Sequence, residues 1–278
     1  MRVFAAVLWL LVAAAACAEP PAALVVDDAG TLYFTDAHSG SLWERAPDGR
    51  LARLARDIHP HHLWLDREGA ALYGERRSWS AAKGHFEIHV WRLGRGGSLE
   101  PVAAVPEGLR WTRDAEGAQY RSDGERIHVV RPSGSRVLGG DPFAGRSHPH
   151  NGLGGLALAA DGSLYVADAD HRCVWQVRRD GSVHLVYSSG RPWAPTAVAV
   201  AGPAVYVLEG RPDGPASLLG YWQGARVLRI EAGRTVVWAV VEERREVLLG
   251  AGAGLMLLGV AGVIGLARRR RQAAPPAG

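Results

Sequence analysis

Two short stretches gather side chains able to hold a divalent ion: His59-Pro60-His61-His62 and His148-Pro149-His150-Asn151. Imidazole nitrogen suits zinc and similar metals, whereas carboxylate and amide oxygen suit calcium. With Glu107, from Pro106-Glu107-Gly108, the pool for such a site is His61, His62, Glu107, His148, His150 and Asn151. An ion held among them would act as a Lewis acid or lower the pKa of a bound water, which is the chemistry of hydrolases and lyases. The plainer alternative is that these histidines are hydrogen-bonded loop residues. Residue type and spacing alone single out no three of the six.

Other polar and aromatic positions recur. Asp36, Asp123, Asp168 and Glu209 each stand three residues after a tyrosine. They are read chiefly as acceptors of backbone amide hydrogen bonds in the turns that follow, with a ring of carboxylates around a channel mouth as the second reading. Trp43, Trp91 and Trp175 recur in one type of strand and are expected in the core. Trp79, Trp193 and Trp222 fall in presumed loops and are the aromatic candidates for ligand contact. The sequence has no nucleophile elbow, phosphate-binding loop, HExxH or CxxC pair, so serine hydrolases, nucleotide enzymes, zincins and dithiol redox proteins have no support.

The elements that must position these groups are repeats. Asn151 to Gly190 reads as one four-stranded β-meander: an apolar strand, an Asp161-Gly162 turn, LYVAD, CVWQV, an Asp180-Gly181 turn and VHLVY. Its second-strand tyrosine recurs as Tyr33, Tyr73, Tyr120, Tyr165 and Tyr206, at intervals of 40, 47, 45 and 41 residues. A glycine after each third strand, Gly49, Gly97, Gly134, Gly181 and Gly233, keeps the same period. Four strands in each period of 40 to 50 residues predict a β-propeller, with five blades visible and room for a sixth. The ring is expected to close by pairing the strand near Leu24 to Val26 with the last blade. Blades two and five carry insertions between their second and third strands, RRSWSAAKGHFE and EGRPDGPASLLGYWQGA, expected as surface loops.

In such a blade the loop entering the first strand and the loop joining the second strand to the third open on one face. The entering loops are Glu19-Pro20-Pro21, His59 to His62, Pro106-Glu107-Gly108, His148 to Gly152 and Pro195-Thr196-Ala197, so the metal-ligand candidates converge there. Asn151-Gly152, Asp161-Gly162, Leu164 to Asp168 and Val174-Trp175 together resemble NHL-repeat propellers and the related gluconolactonase/regucalcin family. That resemblance implies one divalent cation held by carboxylate and asparagine groups of the entering loops. Asn151 matches an asparagine ligand, Glu19 is similar to the first-blade glutamate, and Thr196 takes the place of an aspartate. The histidine-rich loops are similar to those of NHL-type lyases that bind zinc.

Charge and termini set the location. The formal charge of +4 arises at the ends: Arg2 and Arg268 to Arg271 lie outside residues 19 to 267, which carry 27 basic and 28 acidic groups. A nearly neutral globular part gives nucleic acid no electrostatic footing. Residues 1–18 read as a secretory signal peptide cleaved after Ala18, with lipoprotein processing at Cys17 as the other reading. Residues 22–241 are the propeller and 242–246 a charged spacer. Residues 247–267 are uncharged and span about 32 Å as a helix, a transmembrane segment or, alternatively, a sorting signal. The arginines of the basic tail, 268–278, place that end in the cytoplasm. Gly250 and Gly254 form a GxxxG packing motif.

The expectation is therefore an all-β propeller of five or six four-stranded antiparallel blades with one C-terminal transmembrane helix. It would be a single-pass membrane protein with its propeller outside the cytoplasm, in the periplasm or at the cell surface. Its expected role is a binding or scaffolding module for a protein or small-molecule ligand at the loop face. The alternative is a metal-dependent, lactonase-like hydrolase or a lyase using calcium or zinc.

Overall fold

A computed structural model describes residues 23–241 apart from 37–38, 57, 59, 67–70, 81, 95–96, 107–111, 123–125, 139–152 and 213–221. The strands are β1 (Leu24–Val26), β2 (Leu32–Asp36), β3 (Ser41–Arg45) and β4 (Leu51–Ala55) in blade one. Blade two is β5 (Pro60–Asp66), β6 (Ala71–Ser80), β7 (His85–Leu93) and β8 (Leu99–Val102). Blade three is β9 (Thr112–Arg113), β10 (Gln119–Ser122), β11 (Ile127–Arg131) and β12 (Gly134–Leu138). Blade four is β13 (Leu153–Leu158), β14 (Leu164–Asp168), β15 (Cys173–Val177) and β16 (Val183–Ser188). Blade five is β17 (Ala194–Ala201), β18 (Ala204–Pro212), β19 (Trp222–Glu231) and β20 (Arg234–Val241). Every sheet is an antiparallel meander of four consecutive strands, and the described residues contain five such sheets and no helix.

Both sequence anchors hold. The five tyrosines all lie in second strands, and the five turn glycines, four before the fourth strand and Gly134 at its first position, all take a positive φ, from +74° at Gly233 to +135° at Gly134, a region open to glycine at little steric cost. LYFTD of β2 and LYVAD of β14 share one burial pattern: Leu32, Phe34, Leu164 and Val166 are buried, as the two-residue period of a strand requires.

The core lies between blades. Leu24, Leu32 and Phe34 of blade one meet Ala197, Tyr206 and Leu208 of blade five. Further clusters join blades three and four through Ile127, Val129, Leu164 and Val166, blades four and five through Val174, Val198 and Val207, and blades one and two through Leu42, Leu63, Leu72 and Trp91. Each fully buried side chain of this size contributes about 1.5–3 kcal/mol. Two glycines make room for this packing. A Cβ on Gly155 of β13 would stand 2.6 Å from the Ala197 Cα of β17, and one on Gly74 would overlap the Trp91 ring on its paired strand.

Two expectations need correction. The ring does not close by strand exchange: β1 pairs with β2 in its own complete sheet, and blade one meets blade five through side chains instead. The Trp238 ring of β20 takes the guanidinium groups of Arg45 of blade one (4.0 Å from its centre) and Arg229 of its own blade (4.8 Å), so a cation–π contact crosses that junction. The insertions of blades two and five are also not simple loops. β6 and β7 pair continuously from Leu72/Leu93 to Ser80/His85, so RRSWSAAKGHFE is a hairpin arm with its tip near Lys83, and β18 and β19 pair out to Pro212 and Trp222.

Among the described residues no helix is long and apolar enough to cross a membrane. The signal peptide, the spacer, residues 247–267 and the basic tail lie outside the described residues.

Candidate functional site

Antiparallel order brings the start of each first strand beside the end of the second. In blades two, four and five a register irregularity occurs there: between Pro60 and His62, between Leu153 and Leu156, and between Pro195 and Ala197. The extra residue is His61 in blade two and Thr196 in blade five. Such bulges re-aim side chains at sheet rims. Facing them across the strand pair are three buried acidic residues, Glu75 opposite His62, Asp168 opposite Leu153 and Glu209 opposite Pro195. Asp36 ends β2 in blade one.

These carboxylates are almost wholly buried, with relative exposures of 1% for Asp36, 6% for Glu75 and 0% for both Asp168 and Glu209. A buried carboxylate must be hydrogen-bonded or ion-paired, and each one is. Asp36 Oδ2 accepts from Ser39 Oγ at 2.7 Å. Asp168 Oδ1 accepts from the His171 backbone amide at 3.1 Å, while its Oδ2 accepts from His171 Nδ1 and Trp175 Nε1, both at 3.0 Å. Glu209 takes the Ser189 hydroxyl on Oε1 and Arg226 Nε at 2.6 Å on Oε2. The amide-accepting role expected of these positions is thus seen at Asp168, whereas Glu209 works through side chains; Asp123 lies outside the described residues. Glu75 was not anticipated, because it stands two residues after its tyrosine instead of three, which puts it on the other face of its strand.

Two histidines are held by this row. His62 Nδ1 lies 2.8 Å from Glu75 Oε1, and the imidazole stacks on Trp64 at 5.6 Å and 19°. His171 is held by Asp168 in the same way. An ionised carboxylate only accepts, so Nδ1 carries the shared proton. Both side chains are about half exposed.

The junction of blades four and five adds a second feature. Trp193, in the loop entering blade five, is half-buried, with the Arg226 guanidinium 4.3 Å and that of Arg211 5.7 Å from its ring centre. Arg226 thereby links the buried Glu209 to an aromatic ring at the rim. Tyr187 lies in the same network, its hydroxyl pushed up by burial and then by the Glu209 carboxylate. Burial also raises the Cys173 thiol, which donates to the His171 carbonyl at 3.0 Å; a protonated, buried thiol is a small core group, as expected.

Of the six candidate ligands, His62 is the one whose side chain is described. His61 lies in β5 with its side chain outside the description, and Glu107, His148, His150 and Asn151 lie outside the described residues, as does Glu19. Among the described residues no three histidine, cysteine, aspartate or glutamate side chains converge to hold a metal ion. Thr196 is buried and donates to the Leu208 carbonyl at 3.3 Å within its own blade. Trp79 and Trp222 belong to strands β6 and β19 instead of loops. Trp91 is buried, and Trp43 and Trp175 pack against the core, as expected of them.

The sequence matches no protein-family model and no curated protein. Its fold is similar to solved structures. A protein of unknown function from Bacteroides thetaiotaomicron aligns with a TM-score of 0.50 at 9% identity over 68% of this chain and 66% of that one. A streptogramin B lyase aligns at 0.43 and 12% over 82% and 85%, and virginiamycin B lyase from Staphylococcus aureus at 0.38 and 11% over 78% and 93%. The likeness is one of fold alone, that of a β-propeller of four-stranded blades.

Proposed function

We propose that this protein is a membrane-anchored, extracytoplasmic binding or scaffolding propeller whose ligand docks on the face where the entering loops and the hairpin arms of blades two and five open. The observation that carries the reading is the occupation of the rim carboxylates. Asp36, Asp168 and Glu209 are fixed by hydrogen-bond donors of the protein itself, so they act as struts for the face. A face with rigid struts, a Trp193 ring flanked by arginines and two long arms has the mixture of aromatic and cationic groups found in recognition surfaces. The apolar, uncharged run at 247–267 followed by four arginines supports the anchor.

One observation favours the second reading, a metal-dependent hydrolase or lyase. His62 and His171 are each oriented through Nδ1 by a buried carboxylate, the arrangement that outer-shell carboxylates impose on metal-binding histidines. The residues that would complete a site with His62 are His61, Glu107, His148, His150 and Asn151.

Protease added to right-side-out inner-membrane vesicles tests the placement. Digestion of the propeller with retention of a small membrane-embedded fragment is expected; complete protection of the propeller contradicts it.

A further inference from the structure

We propose that the seam between blades one and five holds a tetrahedral oxyanion, phosphate or sulfate, between Arg45 and Arg229. β3 ends at Arg45, and β19 passes Arg229 just before its end at Glu231, so both arginines lie at the strand ends opposite the entering loops. Their guanidinium groups converge on one indole, that of Trp238, at 4.0 and 4.8 Å from its ring centre. Tyr206 packs edge-on against the same ring at 6.5 Å, and the core beneath holds the indole in place. Like charges gathered in this way disfavour each other. Burial holds the Arg45 guanidinium below its ordinary value and the Arg229 charge adds to that effect, against the opposing pull of Tyr206 and Asp48.

The groups around that ring have more donors than acceptors. Glu231 accepts from Arg229 Nη2 at 2.6 Å, but Arg229 Nε and Trp238 Nε1 are both buried and have no acceptor among the described residues. Arg45 forms no ion pair among the described residues: its Nη1 donates to the Ala46 carbonyl at 3.2 Å, and the Asp48 carboxylate is taken by Arg50 at 2.8 Å. Two cations therefore share one paired carboxylate, and what the orphaned donors lack is an acceptor. Stacking on an indole uses the flat face of a guanidinium and leaves its in-plane N–H groups for a ligand. An oxyanion can accept from two such groups at once. Blades one and five exchange no strand, so an ion held by one arginine from each ties the first blade to the last.

The test uses the full-length protein in non-ionic detergent, titrated with inorganic phosphate and in parallel with sulfate, at constant ionic strength. Melting temperature and equilibrium dialysis are read together. At least one of the two ions should bind stoichiometrically and raise the melting temperature along a saturating curve, since a ligand of the folded state stabilises it. R45Q and R229Q should each weaken that binding by about tenfold or more, the loss of a charge-assisted hydrogen bond. R136Q, on the outer strand of blade three, should leave it unchanged. If R45Q fails to fold, R45K decides: it keeps the charge without the planar fork and should bind more weakly than the native chain. Three results would each overturn the proposal: no stoichiometric ion of either kind, saturable binding indifferent to Arg45 and Arg229, or a linear rise shared by every variant, as general exclusion of these salts from the surface gives. The outcome is independent of what the loop face binds.

Discussion

Glu209 is a structural acceptor, as its place three residues after a tyrosine suggests, but its partners are side chains and not the backbone amides of the turn. It is fully buried and takes both Ser189 and Arg226, so Glu209→Ala strands a mostly buried guanidinium. Because removing one member of a buried ion pair costs far more than the pair contributes net, the variant should lose about 3 kcal/mol in urea unfolding, against a much smaller loss for Asp48→Ala, whose bonds to the Arg50 guanidinium and amide are exposed. The tyrosines carry a pH signature. Burial is the leading cause that lifts the hydroxyls of Tyr33, Tyr120, Tyr165 and Tyr187 above their ordinary value of 10.0. The unfolded chain therefore ionises first. The stabilisation is complete below pH about 10 and is lost as pH rises through the raised folded values. Unfolding free energy should fall with pH in that alkaline window, and a flat profile between pH 9 and about 11.5 would contradict the burial of these four tyrosines.

Elements were legible where turn chemistry and period agree. Asp161-Gly162 and Asp180-Gly181 set hairpin turns that the structure reproduces with both glycines at positive φ, and β14 and β15 lie where LYVAD and CVWQV stand. The arms of blades two and five were read as loops because RRSWS and KGHFE lack strand alternation, and cross-strand pairing supplies what the local pattern does not. The bulges at His61 and Thr196 were also hidden, since one extra residue leaves no mark in a single strand's sequence. Glycine in a first strand was equally mute. Gly155 has no turn to make, but the backbone of β17 occupies the space its side chain would need. Gly155→Val should push blades four and five apart and cost about 1–3 kcal/mol, read as a lower urea midpoint, whereas valine at Gly190, which faces open space, should leave it unchanged.

At the scale of the molecule, repetition makes the architecture readable and the chemistry obscure. Five copies of one blade reveal the propeller because each must bury the same positions against its neighbours. The loops differ from blade to blade and obey no period, so nothing local says whether His61, Glu107, His150 and Asn151 meet on the channel axis. The closing contact is illegible for a related reason: a complete first blade needs no strand from elsewhere, and the Arg45–Trp238 contact that joins the ends couples residues nearly 200 apart. The proposed role, a loop face that binds a ligand without a resident metal, is open to direct measurement. The most direct measurement is elemental analysis of the purified full-length protein, with its melting temperature followed as calcium or zinc is added, beside His61→Ala, His150→Ala and Asn151→Ala. A ligand that binds only the folded state must stabilise it. No stoichiometric ion and the same melting temperature in all samples are expected; one ion per chain, with a saturable rise in melting temperature that the variants abolish, would overturn the binding-propeller reading.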